Sequence, residues 1–271
     1  MILVNGVIAE YIPVSDRGLN YGDGVWETIA VRQYQPKMLT EHLVRLQYGI
    51  DALQIKGYSA SNLSNDIAKV LQESVEADFI LKIIVTRGSG GRGYATLGCD
   101  RPRYILTTHA MPNYPESYEQ EGIALALCKT RLSINPQFAG FKHLNRLEQV
   151  VAREELTEGF AEGVVRDTEG AIVEGTMSNL FIVRDDHSIL TPELNQCGIR
   201  GIARERVLEQ LKQLSIKVAI AKVSLADLDY ANALFFTNSV VRLWPVQQFN
   251  KRTYQIPSIV RELQEALRKC L

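Results

Sequence analysis

No stretch of the 271 residues stays apolar for long enough to cross a bilayer. The opening Met-Ile-Leu-Val-Asn-Gly has no basic run ahead of a long apolar core, so neither membrane insertion nor secretion is expected. An excess of charge is missing too. The 30 Lys plus Arg nearly cancel the 31 Asp plus Glu, which excludes a broad basic field for nucleic acid and an acidic tail. What remains as partner is a small molecule or a second copy of the chain. Cysteine is scarce: Cys99, Cys128, Cys197 and Cys270 lie far apart at no metal-ligand spacing, so no metal site is expected and the four read as free thiols of a reducing cytoplasm. Internal repeats and low-complexity segments are absent.

What is present is ordinary globular material, 46% hydrophobic and 23% charged, enough for one large or two modest domains. Asn5-Gly6 between Ile2–Val4 and Ile8–Glu10 predicts a tight hairpin. The glycine- and aspartate-rich residues 14 to 24 read as a structured loop, followed by a strand from Val25 to Arg32. On that strand Glu27 and Thr28 must point to opposite faces. Thr40 is placed to cap a helix through Leu43, Leu46 and Ile50, and Phe79 to Thr86 reads as a buried strand. Its end runs into Arg87-Gly88-Ser89-Gly90-Gly91-Arg92-Gly93-Tyr94. A phosphate-cradling P-loop is set aside there, because Gly-Lys-Ser/Thr is absent at the required spacing and no helix follows. Arginines among glycines instead suit a loop that grips an anion bidentately.

The prolines and polar residues of 112–117 mark a linker. Beyond it a strand from Ile123 leads to Lys142, which precedes an apolar pattern, Leu144, Leu147, Val150 and Val151, with helical spacing. By itself Lys142 reads either as a solvated surface charge or, beside Phe141, as a desolvated amine able to form a Schiff base. Short strands follow to Leu190. Glu174 interrupts one of them, as a surface turn residue or as a buried acid with a dedicated partner. Gly201 precedes a helix from Ile202, whose first N–H groups suit a phosphate. A strand from Ala233 to Thr237 ends at Asn238-Ser239, and Ile259, Leu263 and Leu267 predict a closing amphipathic helix.

Together, Asp16-Arg17-Gly18 with Tyr21-Gly22-Asp23-Gly24, His42-Leu43-Val44-Arg45-Leu46, Lys142, Glu174-Gly175 with Asn179-Leu180-Phe181, Gly201-Ile202, and Phe235-Phe236-Thr237-Asn238 with Pro245-Val246 resemble the fold-type IV pyridoxal-phosphate enzymes. That family includes branched-chain and D-amino acid aminotransferases and aminodeoxychorismate lyases. The resemblance implies a mixed α/β architecture of two domains: a small N-terminal one over 1–111, a linker over 112–117, and a larger C-terminal one over 118–271. The larger domain is expected to hold a barrel-like sheet and the Schiff-base lysine, with the active site between the two. It also implies pyridoxal 5'-phosphate as cofactor, a homodimer and a cytoplasmic location.

Site residues follow from the same resemblance. Lys142 falls at the Schiff-base position and Glu174 at that of the acid bonded to the pyridine nitrogen. Arg45, the amides of Ile202 and Ala203, and Ser239 match the cup for the cofactor phosphate. The runs 87–94 and 142–149 are most similar to those of the aminodeoxychorismate lyases, in which a threonine at the position of Thr28 assists proton transfer. Arg92 and Tyr94, then Arg87 and Lys82, become candidate contacts for substrate carboxylates. Arg146 and His143 are read as positioning the helix behind Lys142.

Overall fold

The computed structural model describes all 271 residues. Asn5 and Gly6, at φ of 47° and 79°, turn strand β1 (Ile2–Val4) back as β2 (Val7–Ile8), the hairpin the dipeptide predicts. The expected loop over 14–24 is more regular than its composition suggests. Asp16 accepts a hydrogen bond from the Gly18 N–H and Gly22 closes the turn at φ 64°, so Arg17–Tyr21 forms a short helix, α1.

Strand β3 (Gly24–Arg32) is followed by β4 (Gln35–Pro36), helices α2 (Leu39–Ala52) and α3 (Ala60–Glu73), and strands β5 (Phe79–Thr86) and β6 (Arg103–Ala110). They pair throughout antiparallel in the order β2-β1-β6-β5-β3-β4. Alternate residues Val25, Ile29 and Val31 of β3, with Leu81, Ile83 and Val85 of β5, bury one face of this sheet against Leu46 and Ile50 of α2 and Leu63, Ile67 and Val70 of α3. Thr40 does not cap α2. Met38, in the left-handed region at φ 52°, precedes the helix and offers no side-chain cap.

Packing divides the chain into two units, Met1–Pro112 with Phe141–Asn145, and Asn113–Gly140 with Arg146–Leu271. The sequence reading gave Lys142 to the C-terminal domain. Its segment packs with the first unit instead, because Lys142 and Leu144 hydrogen-bond to the backbone of β3.

The second unit contains α4 (Ser117–Gln120), β7 (Ile123–Leu132), α5 (Leu147–Glu154), β8 (Glu162–Asp167), β9 (Ile172–Gly175), β10 (Asn179–Val183), β11 (Ile189–Pro192), α6 (Ile202–Gln213), β12 (Val218–Ala221), α7 (Leu225–Asp229), β13 (Ala233–Asn238), β14 (Arg242–Phe249), β15 (Arg252–Thr253) and α8 (Ser258–Cys270). Eight strands run in the order β12-β11-β10-β13-β14-β7-β8-β9, with β15 paired to β14. Val223, two residues past the end of β12, bridges to β9 at the other edge of this mixed sheet. The Ile172 N–H donates to the Val223 carbonyl at 2.8 Å, and that bridge gives the sheet its barrel-like closure. Leu180, Ile182, Leu234, Phe236, Trp244 and Val246 fill one side of it. Ser224 and Asp227 form the reciprocal cap of α7.

Helix α5 departs from expectation. It begins five residues after Lys142, and Leu147, Val150 and Val151 are 79%, 55% and 53% exposed, leaving Ala152 as its one buried residue. The apolar spacing was helical, but it faces away from the core of its own unit. No helix is long and apolar enough to cross a membrane. All four cysteines are free thiols.

Candidate active site

Lys142 is held by a strand, not by a helix start. The Trp26 N–H donates to the Lys142 carbonyl at 2.9 Å, the Trp26 indole N–H to that of His143 at 3.2 Å, and the Leu144 N–H to that of Gly24 at 3.0 Å. These bonds fix the backbone on both sides of the lysine. Its Nζ lies 3.8 Å from the centroid of the Trp26 ring, and Lys82 Nζ lies 4.9 Å from the same centroid. Thr28 pairs in register with Lys82 and stands two residues from Trp26, hence on the same face of β3. One indole thus gathers two amines beside a hydroxyl. Trp26 was not singled out in the sequence, because an aromatic residue in a strand is ordinary core material.

The opposite face of β3 organises Arg45. Its Nε and Nη2 donate to Glu27 Oε1 and Oε2 at 2.7 and 2.6 Å, and His42 Nδ1 lies 2.6 Å from Glu27 Oε2. Burial alone would raise the Glu27 pKa. The charge of Arg45 and the hydrogen bonds from Arg45 and His42 outweigh it and hold the carboxyl at about 2. Glu27 therefore stays ionised and fixes the plane of the Arg45 guanidinium. Neither Glu27 nor His42 was assigned a role from the sequence. A signal was there: an acid inside an otherwise apolar strand, and a histidine three residues before Arg45 on one helix face.

In the second unit Glu174 is the buried acid with dedicated partners rather than a turn residue. Its Oε2 accepts from the Ile199 N–H at 2.9 Å and from Asn179 Nδ2 at 3.3 Å. Asn179 also donates to the Ile199 carbonyl and accepts from the Gly201 N–H, so one amide ties the acid to the start of α6. Gly198, at φ 83°, permits this approach: a Cβ there would stand 2.7 Å from Val173 and 3.3 Å from Glu174 Oε2. Arg146, on the segment leading into α5, has its pKa lowered by burial, against the pull of Glu174 and Glu148.

Helix α6 begins at Gly201 with no side-chain cap, so the N–H groups of Ile202 and Ala203 lie at its positive end, suited to an anion. Ser239 follows Asn238, whose side chain accepts from the N–H groups of Val240 and Val241 and donates to the Met177 carbonyl, shaping that turn. An acid for a protonated ring nitrogen, donors for a phosphate and an amine for an aldehyde are the donor set that pyridoxal 5'-phosphate requires.

The glycine-rich loop separates its arginines. Arg92 and Tyr94 are exposed. Arg87 is buried and spent on structure: it bonds both oxygens of Asp23 and donates to the carbonyls of Leu53 and Gln54. Its place among the candidate substrate contacts is withdrawn for that reason.

Residues 24–249 match the amino-transferase class IV family, and the chain belongs to it. Pyridoxal 5'-phosphate is accordingly its cofactor. Among solved structures, 4-amino-4-deoxychorismate lyase from Pseudomonas aeruginosa is 40% identical with a TM-score of 0.94, covering 100% of this chain and 99% of that one. The aminodeoxychorismate lyase of Vibrio harveyi is 33% identical over 97% of this chain and 98% of its own length. A D-alanine aminotransferase from Bacillus licheniformis is 25% identical over 93% and 89%.

Proposed function

We propose that the protein is a lyase that converts 4-amino-4-deoxychorismate to p-aminobenzoate and pyruvate. The observation that carries this reading is the end-to-end likeness to the Pseudomonas aeruginosa lyase at 40% identity, with the amine, hydroxyl and second amine of Lys142, Thr28 and Lys82 gathered on one face of β3. The bound cofactor supplies an electron sink that makes the substrate carbon bearing nitrogen acidic.

The protein then has three tasks. Glu174 keeps the ring nitrogen protonated, while Arg45, the amides of Ile202 and Ala203, and Ser239 hold the phosphate. Lys142 would anchor the cofactor, and its amine would take the proton from the substrate carbon bearing nitrogen. Thr28 and Lys142 relay a proton to the methylene carbon of the enolpyruvyl group as its ether bond to the ring breaks. Arg92 and Tyr94 hold a substrate carboxylate, and Lys82 faces the same amine from β5. A homodimer is the proposed assembly, supported by the exposed apolar face of α5, and the cytoplasm is the proposed location, supported by the four free thiols.

Pyruvate release from 4-amino-4-deoxychorismate with no keto acid present tests the reaction. Steady transfer of an amino group to a keto acid, without pyruvate release, would instead favour an aminotransferase, the reading to which the Bacillus licheniformis relative lends weight. Borohydride reduction and peptide mapping test the anchor: the cofactor should be recovered on the peptide containing Lys142, and recovery on another lysine would refute the assignment.

A further inference from the structure

Within the first unit, residues 91 to 98 are almost wholly exposed, and Tyr94 and Leu97 present 85% and 94% of their surface. A loop with so little burial has no hydrophobic reason to hold one shape. It is held by a cation. Arg17, 4% exposed at the start of α1, donates from Nη1 to the carbonyls of Gly93 at 2.9 Å and Ala95 at 3.4 Å, and from Nη2 to the carbonyl of Tyr94 at 3.1 Å. Three consecutive carbonyls converge on one guanidinium, a path that turns through Gly93 at φ 84°. The Arg17 guanidinium also stands 4.8 Å from the ring of Tyr21, which meets the Tyr94 ring edge-on at 5.5 Å.

The other edge of the same guanidinium is anchored. Arg17 Nε donates to Asp23 at 2.9 Å, and Arg87 bonds the same carboxylate while gripping the carbonyls of Leu53 and Gln54 just beyond α2. A continuous polar chain therefore runs from the end of α2 through Arg87, Asp23 and Arg17 to the loop tip. We infer that Arg17 is the latch of the glycine-rich loop, a positioning residue that sets where Arg92 and Tyr94 stand and so tunes affinity for the substrate carboxylate. The substrate half of this inference rests on the proposed function; the latch half does not. Lysine cannot substitute, because a single ammonium on a flexible stem lacks the planar fork that reaches three carbonyls and a carboxylate at once.

The test uses the cofactor-loaded enzyme and two variants, Arg17→Met and Arg17→Lys, with trypsin cleavage after Arg92 as a readout independent of activity. Opening of the loop governs that cut, so both variants should be cleaved there about tenfold faster at a temperature where unfolding curves show each to be fully folded. In turnover KM should rise several-fold with kcat within about twofold, the signature of lost ground-state binding. In an Arg92→Met background Arg17→Met should add no further rise in KM. Should Arg17→Met fail to fold, the milder Arg17→Lys decides. Cleavage after Arg92 at the wild-type rate in a folded variant overturns the latch. Faster cleavage with unchanged KM upholds the latch and removes the substrate role of the loop. A full additional rise in KM without Arg92 overturns positioning through that residue.

Discussion

Glu27→Gln removes the charge that holds Arg45 in place. The drop of the Glu27 pKa from the usual 4.5 to about 2 is equivalent to about 3 kcal/mol favouring the folded state at neutral pH. A depressed carboxyl contributes its stability in full above its unfolded pKa and loses it as pH falls through its folded pKa. The contribution is thus present above about pH 4.5, cut to under half near pH 3, and gone below about pH 2. Glutamine resembles the protonated acid in shape, so the gap in stability between wild type and variant should follow that same curve. Urea unfolding of the cofactor-free protein, followed by the fluorescence of Trp26, the one tryptophan of the first unit, measures the gap at each pH. Other acids also titrate in this range, but they titrate equally in both proteins and cancel in the difference. A gap below about 0.5 kcal/mol at pH 7, or one of the same size at pH 7 and pH 3, would show that Glu27 does not sustain the Arg45 pair in the way described.

Gly198→Ala should destabilise the second unit by about 1–3 kcal/mol and weaken cofactor binding, since a Cβ at φ 83° meets Val173 and Leu194 within 3 Å; equilibrium unfolding and cofactor titration check both. Glu162→Ala should cost about 3–5 kcal/mol, because this fully buried carboxylate accepts from the N–H groups of Gly163 and Thr176 and from the hydroxyls of Thr176 and Ser178, all left stranded by its removal. Burial pushes the thiols of Cys128 and Cys197 up to about 11 and about 12, so a thiolate-selective alkylating reagent at pH 8 should modify the half-buried Cys270 first and leave these two intact until the protein unfolds, as read by peptide mass.

The sequence by itself settled the elements whose signal is local. Asn5-Gly6 can supply two positive φ angles, so the first hairpin follows from two residues. The β-branched run at 79–86 and the start of α6 behind Gly201 were legible for the same reason. Motifs spread along the whole chain also fixed the family, and with it the cofactor. Local pattern failed where the partner of a face lies elsewhere. Leu147, Val150 and Val151 have helical spacing whether they turn inward or outward, and only the packed structure shows them turned out.

Partnership between distant charges was likewise invisible. Arg45 and Arg92 are both arginines among candidate anion binders, yet one is locked on a buried Glu27 eighteen residues away and the other stands on a loop pinned by Arg17, more than seventy residues earlier in the chain. Lys142 was found from the sequence, while the indole beneath its amine, and the strand that holds its backbone, were not. A backbone turn depends on the torsions of a few adjacent residues; an ion pair or a ring contact depends on where the rest of the chain has gone, and that was decided only on folding.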